Sequence, residues 1–102
     1  MPVPEKKLPA AFYQTPTGVE PVRAWLRRLS AQDRRTIGVD IATIEYLWPV
    51  GMPHCRSLGG GLWEARSNIS DGRIARVMFA AVGGRMVLLH GFVKKTQKTP
   101  DK

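Results

Sequence analysis

Leu62-Trp63-Glu64-Ala65-Arg66-Ser67-Asn68-Ile69-Ser70-Asp71-Gly72-Arg73-Ile74-Ala75-Arg76-Val77-Met78-Phe79 is the stretch on which the fold turns. Two strand-like runs flank a Ser-Asp-Gly segment, the pattern of a β-hairpin. The loop decides the register, because a slip of one residue turns every side chain to the opposite face. A two-residue Asp71-Gly72 turn would break up the apolar set. A three-residue loop, with Gly72 at its left-handed position, pairs Ile69 with Arg73. Trp63, Ala65, Ala75, Val77 and Phe79 then share the core face, and Arg66 stands directly opposite Arg76 on the other. That is the expected register.

The rest of the chain supplies what such a hairpin needs. A further strand-like run at 85–93 follows Gly83-Gly84, a second turn signal, and extends the strands at 62–69 and 73–82 into a meander. Residues 53–61, rich in Pro and Gly, read as loop. Upstream, Thr17 and Glu20 have capping-box spacing. Val22, Trp25, Leu26 and Leu29 then recur at helical intervals, with Pro21 tolerable in the first turn. Ser30 can cap a second helix with Asp33 three residues on; Ile37, Ile41, Ile44 and Trp48 line one face, and Pro49 with Gly51 ends it. Helices are expected at about 18–29 and 31–48, and a short edge strand, limited by Pro9, near 8–14. The fold class is α+β: an αα-hairpin covering one face of an antiparallel sheet.

With 102 residues the chain fits a single domain, residues 1–102, and its 43% hydrophobic content suits a folded one. Sixteen Lys+Arg against eight Asp+Glu give a net charge of +8. That excess favours a polyanion partner. The longest apolar run, residues 86–89, is too short to span a bilayer. The sequence begins without an apolar signal-peptide core, and its single cysteine, Cys55, has no partner for an internal disulfide, so a cytoplasmic setting is expected. His54 and Cys55, with only His90 to join them, lack metal-ligand spacing and read as loop residues.

Two arginines opposed across neighbouring strands repel unless an anion lies between them. Glu64, on the same face, could supply that anion internally. The run Lys94, Lys95, Thr96, Gln97, Lys98 leaves the third strand at the same end of the sheet, and cations converging on an arginine pair suggest a phosphate site. A two-residue Gly83-Gly84 turn puts Lys95 on the Arg76 face, together with Val87 and Leu89; a three-residue turn puts Lys94 there instead. The sequence leaves both open. His90, mid-strand between Leu89 and Phe92, reads more readily as a hydrogen-bonded structural histidine than as an acid or base.

The segments Leu62-Trp63-Glu64-Ala65-Arg66, Arg73-Ile74-Ala75-Arg76-Val77 and Leu88-Leu89-His90-Gly91-Phe92-Val93-Lys94-Lys95-Thr96-Gln97-Lys98-Thr99-Pro100 closely resemble the HigB-like, phage-related branch of the RelE/ParE toxin superfamily. The likeness is strong over 58–100; the helical half matches in layout. It implies a type II toxin: a metal-independent, cofactor-free endoribonuclease that cuts mRNA in the ribosomal A site and is restrained by a HigA-type helix-turn-helix antitoxin. Cleavage by attack of the ribose 2′-OH on the adjacent phosphate asks for a base, an acid and positive charge on the equatorial oxygens. By the resemblance, Arg66 and Arg76 hold the scissile phosphate, and Lys94 and Lys95 stabilise the transition state or move a proton. Arg73, Lys98 and His90 are candidate RNA contacts. Such toxins often carry an aromatic that stacks on a base, and no aromatic follows Phe92. Three alternatives compete: a ParE-like gyrase poison, a nucleic-acid-binding module without chemistry, and an inactive remnant that only binds an antitoxin.

Overall fold

The computed structural model describes residues 4–95. Its elements run β1 (Ala10–Phe12), α1 (Pro21–Arg27), α2 (Ala31–Leu47), β2 (Cys55–Gly59), β3 (Leu62–Asn68), β4 (Arg73–Val82) and β5 (Arg85–Lys95). The sheet order is β1-β5-β4-β3-β2. Strands β2 to β5 form the antiparallel meander, while β1 pairs parallel with β5, making the sheet mixed. The α+β layer arrangement expected from the sequence is present.

The first hairpin adopts the three-residue loop. Arg66 pairs with Arg76 and Trp63 with Phe79, and Ile69 N donates to Arg73 O at 3.0 Å. Gly72 has φ 67°, and Asp71 beside it φ 61°. Asp is among the few residues other than Gly that adopt this conformation readily. Ala65, Ala75, Val77, Phe79, Met86 and Leu88 are buried beneath the helices with Ile37, Ile41 and Ile44. Trp48 packs edge-on against Trp63 (4.9 Å) and Phe79 (5.9 Å), closing that layer; such pairs add roughly 0.5–1.5 kcal/mol beyond area burial.

The helices dock through specific contacts. Trp25 of α1 lies over Gly91 of β5, where a Cβ would come within 2.3 Å of the indole. The α2 residue Glu45 anchors the N-terminal segment: its carbonyl accepts from Lys7 N and Leu8 N, and its carboxylate from Ala10 N at 2.6 Å. Ser30 caps α2 as expected, accepting from Asp33 N at 3.1 Å.

Two local expectations are corrected, and one left open is resolved. Thr17 does not cap α1: the N-cap is Glu20, whose carboxylate pairs with Arg23, while Thr17 bonds Thr15 in the preceding turn. Residues 53–61 are not all loop, since Cys55–Gly59 forms β2 on β3. Only Cys55 of that strand is buried, so it shows no apolar alternation to read. The second hairpin combines the two expected alternatives, the turn of one with the lysine placement of the other. Its turn is the two-residue Gly83-Gly84, with both φ positive and Val82 paired to Arg85. A β-bulge then intervenes: Phe79 pairs with Leu88 but Met78 with His90, leaving Leu89 as an extra residue. Downstream of it, Arg76 faces Phe92, and Lys94 pairs with Ile74 on the same face of the sheet as Arg76.

Candidate anion-binding face

The helices cover one face of the sheet; the other carries the candidate site. Glu64 and Arg66 of β3, Arg76 and Met78 of β4, and His90, Phe92 and Lys94 of β5 all fall on it by register, with Arg56 joining from β2 opposite Glu64. Of the residues expected to act, Arg66, Arg76, Lys94 and His90 are brought together. Lys95 pairs with Arg73, one position out of that row. Lys98 lies outside the described residues.

Arg73 belongs to a different network. It sits on the helix-covered face, where Nη2 donates to Asp33 Oδ2 at 2.7 Å and Nε to Ser70 O at 3.1 Å. Asp33 also accepts from Ser70 N (3.0 Å) and Ser70 Oγ (2.9 Å). Those bonds, led by the Ser70 amide and joined by the Arg73 charge, hold the Asp33 carboxyl below the ordinary aspartate value against the opposing effect of burial. This network ties the start of α2 to the hairpin loop that sets the arginine register.

Glu64 is on the uncovered face, yet its side chain is only 7% exposed because arginines close over it. Arg76 Nη1 donates to Oε1 at 3.1 Å, and Arg56 Nε forms an ion pair with the same oxygen at 3.3 Å. Glu64 thus supplies its charge to Arg76 and not to Arg66. Arg66 has no carboxylate partner among the described residues. The Nε atoms of both Arg66 and Arg76 are buried without a hydrogen-bond partner. Buried donors left unmade are costly, about 1–3 kcal/mol each. An acceptor that reached both would relieve that cost.

His90 is exposed, and among the described residues its ring has no hydrogen-bond partner, so it is not the structural histidine expected from its neighbours. Its ring stacks on Phe92, with centroids 5.7 Å apart. The bulge accounts for both placements by restoring the alternation after Leu89. Sequence reasoning missed Arg56 and Phe92 as members of this face. Cys55 is turned inward: its thiol donates to Val50 O at 3.1 Å, and burial pushes its pKa up. No group of three His, Cys, Asp or Glu residues suited to a metal occurs among the described residues. No described helix is long and apolar enough to cross a membrane.

An αα-hairpin on one face of a small mixed sheet, with the other face uncovered and rich in arginine, is consistent with a RelE-like toxin fold. The family model for phage-derived proteins of the Gp49-like type (DUF891) matches residues 24–102. The chain belongs to that family, one of the RelE-like toxin families of toxin–antitoxin systems. No curated protein and no solved structure matches it.

Proposed function

We propose that this protein is the toxin of a type II module and acts as a HigB-like, ribosome-dependent mRNA endonuclease, restrained by a HigA-type antitoxin. The observation that carries this reading is the placement of Arg66, Arg76 and Lys94 on one uncovered face, with two buried guanidinium Nε–H groups lacking an acceptor. Guanidinium suits a phosphodiester because its planar fork donates parallel bonds to two oxygens and keeps its charge. In this reading Arg66 and Arg76 hold the equatorial oxygens as the 2′-OH attacks, and Lys94 neutralises charge that develops in the transition state. His90, exposed beside them, exchanges a proton with the 2′-oxygen or the leaving 5′-oxygen. Phe92, already stacked on His90, offers a ring face to a base.

The test is induced expression followed by mapping of cellular mRNA. The parent is expected to arrest growth with cleavage of translated messages. Arg66→Ala, Arg76→Ala and Lys94→Ala should each relieve the arrest while the purified variants stay folded, because losing one such donor costs about 3–4 kcal/mol of barrier. Lys95→Ala should have the smaller effect. Arrest with intact mRNA and damaged DNA would replace the nuclease reading with gyrase poisoning.

A further inference from the structure

Glu64 lies where a bound anion would lie. Its Oε1 takes one nitrogen from Arg76 and one from Arg56. Neither contact is the two-pronged fork that makes arginine–carboxylate pairs strong. Arg76 keeps its Nε unpartnered despite the ion pair, and Arg66, directly across the strand, keeps its own. The carboxylate thus offsets part of the charge while leaving the donors on its neighbours unused. Three arginines against one carboxylate leave an excess of positive charge on a patch where Arg76 is itself only 16% exposed.

We propose that Glu64 is a displaceable internal ligand of a three-arginine phosphate site made by Arg56, Arg66 and Arg76, and that a backbone phosphate of the RNA takes over its arginines. The inference rests on the RNA reading above and adds two things to it. Arg56, from the edge strand β2, becomes a phosphate contact, and Glu64 becomes a positioning residue that sets how strongly an anion must compete to enter. A phosphodiester has two free oxygens for the arginines to share, whereas Glu64 meets Arg76 and Arg56 through one oxygen only. Once the phosphate is bound, Glu64 turns away from Arg76, and the buried Nε–H groups gain an acceptor.

The experiment compares wild type with Glu64→Gln, which keeps the shape and removes the charge. Binding of inorganic tripolyphosphate and of a short single-stranded oligoribonucleotide is measured by titration over a series of salt concentrations. Glu64→Gln should bind both more tightly, by roughly three- to tenfold for one competing charge near the surface. Its oligoribonucleotide binding should also depend more steeply on salt, because the arginines that Glu64 no longer neutralises hold salt anions which the phosphate must displace. A residue that merely props up the sheet would leave that slope unchanged; equal or weaker binding by folded Glu64→Gln overturns the proposal. Should the variant not fold, the wild type decides. Nitrogen and carbon NMR of the intact chain, saturated with tripolyphosphate, should move the Nε–H signals of Arg66 and Arg76 together with the Glu64 carboxyl carbon. A stationary Glu64 carbon at saturation, or no tripolyphosphate binding at all, overturns it. Tighter tripolyphosphate binding without oligoribonucleotide binding keeps the latch and removes the RNA reading. Oligoribonucleotide binding indifferent to Glu64→Gln does the reverse.

Discussion

Asp33 stands in the first turn of α2, yet its carboxylate is spent on the hairpin loop, accepting from Ser70 and Arg73. Its charge also suits the positive end of the helix. Because its folded pKa is lowered, chiefly by the Ser70 amide, the ionised form favours folding. The stability it contributes is fully present above the unfolded aspartate pKa and is lost as pH falls through the depressed folded value. Urea midpoints for wild type and Asp33→Asn should therefore differ at neutral pH, with wild type higher, and converge in acid below the ordinary carboxylate range. A gap that persists unchanged in acid well below that range would remove the ion pair from the explanation. Arg73→Ala should lower the midpoint too, since Arg73 is the loop's tie to the helix and not part of the open face.

Between elements, the contact of α1 with β5 is the most exacting. Gly91 has no room for a methyl group, so Gly91→Ala must push Trp25 off the strand or bend β5. Overpacking of this kind costs about 1–3 kcal/mol. Thermal unfolding should show the loss, and Trp25→Leu in the same chain should recover part of it; a Gly91→Ala protein as stable as wild type would mean the helix is free to shift. The αα-hairpin, the first β-hairpin and its register were all legible, because helical stripes such as Ile37, Ile41 and Ile44 and the apolar set around Phe79 admit one arrangement each. What escaped had no such pattern. Strand β2 buries only Cys55, so nothing in its alternation announced it. The placement of Lys94 depended on an unpaired residue, Leu89: with the two-residue turn that forms, a uniform alternation along β5 would put Lys95 on the Arg76 face instead. The ion pair of Glu64 with Arg76, and not with Arg66, depends on side-chain directions that strand register alone does not specify.

At the scale of the molecule, one face of the sheet is closed by helices and the other is left to a cluster of cations in a chain of net charge +8. Fields of one sign concentrated on one face steer polyanions and make their binding sensitive to salt. If the three arginines share one phosphate and Lys94 meets a second, the logarithm of the affinity for single-stranded RNA should fall with the logarithm of salt with a slope of roughly −1.4. Measured titrations should give weaker binding for Arg66→Ala, while Arg66→Lys should keep the slope but lose cleavage, because a point charge replaces the fork. A slope near zero in the parent would place RNA contacts elsewhere.

The extra residue in β5 also bears on how this chain is to be lined up with its kin. The Lys94-Lys95 doublet makes a one-position error invisible by residue type, since either lysine can be matched to a relative's lysine without penalty. A relative whose last strand carries no counterpart of Leu89 needs a gap opened there, and not in the following loop, before its columns correspond to these. With the gap placed at Leu89, His90, Phe92 and Lys94 fall into the columns that face Arg76 and its neighbours; with it placed later, Gly91 and Val93 do, and the relative's functional positions would be read from the buried side of the strand.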